Sequence, residues 1–303
     1  MSPTAATQEK PSYEIIDGDP AAPMLGLQTV WFQIAGTLCN LRCTHCFVEC
    51  SPTNHTHVFM TLEQMRGHMD KAIRLGAREF GFTGGEPFMH PQIIETLEYA
   101  LERAPALVLT NGTLFNPEMI ERLSRLIQEA DHMLDIRVSL DGDTAEQHDS
   151  VRGEGAFARA LEGVQRLVES GIYPTVATTA TWCDAPAEEI ERRMHRLMRS
   201  FGVEGCPIRI FPNILIGAEE KRVRGYRETE RVTDRCVVGA DPRELMCSSS
   251  RLVTERGVWV CTLLANVEEA RMGEALGETL TAFKITHGAC FTCFTQGVQC
   301  TNT

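Results

Sequence analysis

The chain has no apolar run approaching the ~20 residues needed to cross a bilayer, which excludes a membrane-spanning protein. Its opening stretch, MSPTAATQEKPSYE, has neither a basic start nor an apolar h-region, so nothing in it directs export. Cations are scarce: 29 Lys and Arg stand against 41 Asp and Glu, a net charge of −12, with no basic tract. Binding to a nucleic-acid backbone draws on clustered Lys and Arg, so no nucleic-acid partner is expected. These absences together point to a cytoplasmic protein. What is present, 303 residues of which 43% are hydrophobic and 23% charged, suits a globular chain with ample core. Twelve cysteines are too few for a disulfide scaffold of this length, and in a reducing cytosol clustered thiols usually hold metal. Seven of them fall in two dense groups, at 39–50 and 290–300.

Residues 1–27 are Pro- and Ala-rich without periodicity and are expected to form a tail or strap. From there strand and helix patterns alternate. LQTVWFQI (27–34) predicts a strand, and Thr61 with Gln64 a capping box that opens a helix ended by Gly76. EFGF (79–82) and ALVLT (106–110) are the next strands, with a helix starting at Pro91 between them. Asn116 and Pro117 read as N-cap and first helical residue of another helix. LDIRVSL (134–140), TVATTAT (175–181) and IRIF (208–211) continue the strands, with helices over 156–170 and near 187–201. Six strand–helix units imply a parallel sheet with right-handed crossovers. A full eightfold barrel takes ~250 residues, whereas this pattern runs only over 28–215, so a partial six-stranded barrel is expected. Past residue 216 a charged stretch and scattered cysteines replace the alternation, predicting a separate small cysteine-rich domain over 216–303.

Cys39-x3-Cys43-x2-Cys46 follows the first predicted strand, on the rim where parallel barrels carry their active sites. Three thiolates can hold three irons of a [4Fe–4S] cube and leave the fourth open for chemistry. The spacing alone also allows a structural zinc or cluster site with Cys50 or His45 as fourth ligand. Gly84-Gly85-Glu86-Pro87 closes the second strand on the same rim; alone it would be a turn. The two together, in this order, resemble the radical S-adenosylmethionine (SAM) enzymes.

The resemblance implies that SAM chelates the open iron and that Gly84, Gly85 and Glu86 receive its ammonium through backbone carbonyls and a carboxylate. VSLDG (138–142) is similar to the family's ribose-binding segment, with Ser139 and Asp141 as the polar contacts, and Arg152 would partner the SAM carboxylate. Taken alone, these last are loop residues. Thr110-Asn111-Gly112 lies on the same rim and reads as a turn. The resemblance covers about residues 28–215.

Cys247-x9-Gly257-x3-Cys261 and Cys290-x2-Cys293-x6-Cys300 resemble the C-terminal extension called SPASM, or Twitch in its shorter form. This chain lacks the later cysteines and has three residues, not four, between Gly257 and Cys261. One auxiliary [4Fe–4S] cluster is expected, on Cys247, Cys261, Cys290 and Cys293, with Cys300 as a spare or alternate ligand. The same four thiolates also suit a structural zinc. GVWV (257–260) predicts one strand of a small hairpin, and the isolated Cys183, Cys206 and Cys236 read as plain packing residues.

The resemblance further implies a flavodoxin- or ferredoxin-type electron donor, a SAM-derived radical that abstracts a substrate hydrogen, and handling without oxygen. With only about 27 residues ahead of the first strand and no room for a leader-binding domain, the expectation is an oxidoreductase that dehydrogenates a small molecule such as a sugar or aminocyclitol. The alternatives are a maturase of a ribosomally made peptide and, more remotely, a non-catalytic iron–sulfur electron carrier. No catalytic acid or base is identifiable.

Overall fold

The computed structural model describes residues 11–298 of the chain. All six predicted strands form: β3 (Thr29–Gln33), β4 (Glu79–Thr83), β5 (Ala106–Thr110), β6 (Leu134–Ser139), β7 (Thr175–Thr179) and β8 (Ile208–Phe211). They lie side by side in that order, every pair parallel. The crossovers are α1 (Leu62–Arg74), α2 (Ile93–Leu101), α3 (Pro117–Glu129), α4 (Ala145–Arg152), α5 (Ala156–Glu169) and α6 (Ala187–Ser200). The caps explain the boundaries. Thr61 Oγ1 accepts from Gln64 N–H while Gln64 Oε1 accepts from Thr61 N–H, and Asn116 Oδ1 accepts from Met119 N–H ahead of Pro117.

Strand side chains alternate between two cores. Val30, Phe32, Phe80, Phe82, Val108 and Ile136 pack outward against the helices. Trp31, Leu107 and Leu252 point inward. Phe211 on the last strand of the order and Leu252, on the strand beside β3, line one cavity, so the sheet curls into a partial barrel.

The segments outside the barrel repeat hold more order than their patterning suggested. Expected as a tail or strap, residues 14–22 form a hairpin, β1 (Glu14–Ile16) and β2 (Asp19–Ala22), whose Asp17-Gly18 turn takes positive φ at both positions. After β8 come the short α7 (Ala218–Arg222), β9 (Ser250–Thr254), β10 (Gly257–Trp259), β11 (Arg271–Gly273), β12 (Phe283–Lys284) and α8 (Gly288–Gln296). β12 pairs with β2. β9 and β10 make the expected hairpin, and β9 also pairs parallel with β3, register Thr29↔Ser250. The barrel sheet thus runs to nine strands, with the C-terminal hairpin on its β3 edge. α4 was read from sequence as a loop; its N-cap is Thr144, whose hydroxyl accepts from Gln147 N–H. Among the described residues no helix is long and apolar enough to cross a membrane.

Candidate functional site

The loop between β3 and α1 carries the first cysteine group over the mouth of the barrel. Cys39, Cys43, Cys46 and Cys50 line one open cavity of about 240 Å3 together with Gly84, Gly85, Ser139 and Arg152. Two amides already point at sulfur: Leu41 N–H at Cys39 Sγ (3.4 Å) and Cys50 N–H at Cys46 Sγ (3.3 Å). Burial pushes the Cys39 thiol up to about 12 and the Cys43 thiol up to about 11. The hydrogen bond from the Cys50 thiol holds Cys46 down at about 6. Arg152 lowers Cys43 electrostatically. Three thiols on one wall, amides aimed at two of them and a cation beside the third form a donor set that fits an iron–sulfur cube.

The glycine pair has a task at this wall. A Cβ on Gly85 would stand 1.8 Å from the Leu38 carbonyl oxygen and 2.8 Å from Cys39 N, so only glycine lets β4 pass under the cysteine loop. The Glu86 N–H then donates to Leu38 O at 3.1 Å.

The two carboxylates of the motifs face protein donors. Glu86 is fully buried and absent from the cavity lining. Its Oε1 accepts from Phe88 N–H (3.0 Å) and the Thr110 hydroxyl (2.7 Å), and its Oε2 accepts from Asn111 N–H (2.8 Å). Burial pushes its carboxyl upward against these bonds. Glu86 therefore ties the ends of β4 and β5 together, and Thr110-Asn111-Gly112, read from sequence as a turn, supplies its partners. Asp141 lines the cavity, also fully buried. Its Oδ2 takes Arg152 Nε (2.6 Å) and His45 Nε2 (2.9 Å), and its Oδ1 accepts from the backbone and hydroxyl of Thr179 (2.7 and 2.9 Å). Burial alone would raise this carboxyl, but Arg152 and His45 hold it well below the usual range. Ser139 and Arg152 are free to face the cavity. So are Gln33 Oε1, which the sequence did not single out, and Nδ1 of His45, a possible fourth ligand by sequence; both atoms are buried without a partner.

The second group comes together as well. Cys247 precedes β9, Cys261 follows β10, and Cys290 and Cys293 lie three apart on one face of α8. The four sulfurs line one cavity whose other walls are apolar, among them Leu245, Val260, Phe283 and Ile285. Burial raises Cys247, Cys261 and Cys290. Among the described residues no three Cys, His, Asp or Glu close around a single metal ion. Four thiols facing one apolar cavity are a donor set that suits an iron–sulfur cube. Cys300 lies outside the described residues.

A parallel barrel with an open thiol triad at its mouth defines a class of cluster-dependent enzymes. The chain matches the Radical SAM superfamily over residues 34–197, more than half its length, and belongs to it. It is thus a radical SAM enzyme and binds a [4Fe–4S] cluster and SAM. It is similar to the antilisterial bacteriocin subtilosin biosynthesis protein AlbA of Bacillus subtilis, 37% identical over 141 residues, 46% of this chain and 30% of that protein. An AdoMet-dependent heme synthase of Methanosarcina barkeri is 33% identical over 153 residues, 50% of this chain and 42% of that one. The chain therefore spans less than half the length of these curated relatives. Among solved structures, Streptococcus suis SuiB bound to its precursor peptide SuiA superposes with a TM-score of 0.64 over 91% of this chain and 72% of that one, at 12% identity, a likeness of fold.

Proposed function

We propose that this enzyme is a maturase that modifies a ribosomally made peptide by hydrogen abstraction, with one auxiliary [4Fe–4S] cluster in a C-terminal unit over 216–303. The relative named for bacteriocin biosynthesis carries this reading over the sugar or aminocyclitol expected from sequence. The cavity wall agrees. Beyond the cysteines it is mostly apolar, with Leu109, Phe211, Ile214, Leu252, Leu263 and Val298. An apolar side chain of a substrate would be stabilised by burial there.

In this reading Cys39, Cys43 and Cys46 would hold the first cluster, which would supply one-electron reduction of SAM. A flavodoxin- or ferredoxin-type protein would deliver that electron. Gly84 and Gly85 shape the methionine end, and Ser139 and Arg152 offer a hydroxyl and a cation to the ribose and carboxylate. Glu86 and Asp141 act one step back, holding the rim and Arg152. The loop and the C-terminal segment close the cavity against water, which protects a radical from quenching. Cys247, Cys261, Cys290 and Cys293 hold the auxiliary cluster, with Cys300 in reserve.

The test is co-expression with each short open reading frame beside the gene, followed by mass spectrometry of the peptide. A hydrogen-loss product with wild type, absent with Cys39, Cys43 and Cys46 all changed to Ala, supports the proposal. Production of 5′-deoxyadenosine by the triple variant under dithionite would remove those cysteines from the site, and turnover of an iron porphyrin with no peptide product would replace the substrate.

A further inference from the structure

Arg251 on β9 is an anomaly of charge. It is fully buried, and its hydrogen bonds all go to backbone carbonyls. Nη1 donates to Cys247 O and Ser250 O (both 2.7 Å), Nε to Thr279 O (2.8 Å) and Nη2 to Thr281 O (2.7 Å). Arg137, equally buried, has the Asp135 carboxylate at 2.8 Å, and Arg152 has Asp141 at 2.6 Å. No carboxylate lies within ion-pair distance of Arg251 among the described residues. A buried cation without an anion costs several kcal/mol, so a fold that keeps one normally supplies the opposite charge. Carbonyl dipoles solvate the guanidinium but do not neutralise it.

The groups that face it are thiols. Burial favours the neutral form of Arg251 and of Cys247 and Cys261 alike, and the cation and those two sulfurs partly offset this for one another. The Cys247 peptide is itself a hydrogen-bond partner. The cavity those cysteines share with Cys290 and Cys293 has no basic side chain in its wall, so Arg251 is the cation behind it.

We infer that Arg251 raises the reduction potential of the cluster held by Cys247, Cys261, Cys290 and Cys293, an inference that rests on the auxiliary-cluster reading above. Four thiolates outweigh the iron–sulfide core, so the bound set is a net anion, and one-electron reduction adds a further negative charge. A fixed cation in a low-dielectric surrounding stabilises that added charge more than the oxidised state. The first site pairs its cation Arg152 with Asp141, which offsets the effect there.

Arg251 also ties β9 to residues 279–281, so the test must separate charge from scaffolding. Reconstituted protein with Cys39, Cys43 and Cys46 changed to Ala isolates the second centre. Its potential is measured by anaerobic titration with dithionite, followed by electron paramagnetic resonance, in that background and with Arg251→Gln or Arg251→Lys added. The expected result is a downward shift of the midpoint in Arg251→Gln, a smaller shift in Arg251→Lys, and iron content unchanged in Arg251→Lys at least. An equal potential in Arg251→Gln at full iron content, or loss of iron in both variants, would make Arg251 a structural tie only and overturn the inference. Zinc in place of iron in the triple-Ala background would overturn the auxiliary-cluster reading first, and the inference with it.

Discussion

Asp141 Oδ2 holds Arg152 and His45 together, at 2.6 and 2.9 Å, so one buried carboxylate orients both a cation and an imidazole at the barrel mouth. Asp141→Asn would leave Arg152 without its anion, and breaking a buried pair from one side costs ~3–5 kcal/mol. Denaturant unfolding should show a loss of that order. A change below about 1 kcal/mol would mean that solvent or another group neutralises Arg152.

Gly85→Ala should fail at the cysteine loop. The new methyl would overlap the Leu38 carbonyl and push Cys39 away from Cys43 and Cys46. Iron bound at the first site should fall by most of its wild-type value while the second site keeps its iron, as read by metal analysis and Mössbauer spectra. Full iron at both sites would show that the loop can shift without losing its ligands.

Glu86→Gln tests the rim. Glutamine keeps one acceptor, but its NH2 group must face either Phe88 N–H or Asn111 N–H, donor against donor. Leaving such groups unsatisfied costs ~1–3 kcal/mol, so the melting temperature should drop in the cluster-free protein as well as the loaded one. A variant with normal stability and weakened SAM affinity would instead place this carboxylate on the cofactor.

His148 predicts a pH window. It is fully buried, its Nδ1 accepts from Asp141 N–H at 3.1 Å, and burial with the nearby Arg152 brings it down to about 4. The unfolded chain binds a proton at the ordinary 6.5 that the fold refuses, so this contribution to stability is complete above 6.5 and is lost as pH falls from 6.5 toward 4. The loss should reach at most ~3 kcal/mol. His148→Gln, which keeps an acceptor for Asp141 N–H, should flatten that part of the profile; an unaltered slope would assign the acid loss to other groups.

Iron counting tests the second site. Wild type should carry about eight irons, two cubes of four, and Cys290→Ala should lose about half. Cys300→Ala should keep all of them. The reverse result would transfer the ligand role from Cys290 to Cys300.

How much of this was legible in sequence follows the range of the interactions. The six strands and the α1 and α3 caps are set by neighbours within a few residues, and Thr61 with Gln64 or Asn116 with Pro117 declare themselves. The Asp17-Gly18 turn carried the same kind of signal, but the surrounding Pro and Ala masked it; Thr144 ahead of Gln147 did so for α4 behind a polar face. The pairing of β9 with β3 has no local signature, because its hydrogen bonds are chosen by which edge the folded barrel leaves open. At the site, motifs named residue types in the right loops. They could not show which donors the Glu86 and Asp141 carboxylates take, since those partners, Thr110 and Thr179 among them, sit on other strands.

The pairing of β3 with β9 also sets an order of events. β3 is among the first strands made, yet its outer edge waits for residues 250–254 near the far end of the chain. Until they arrive, the edge presents unpaired amides and carbonyls, and the inward core around Trp31 and Leu107 lacks Leu252. Such a long-range closure slows folding and leaves a sticky intermediate on the ribosome. A chain cut near residue 216 would keep every barrel strand and still present an open edge, ready to pair with a second molecule.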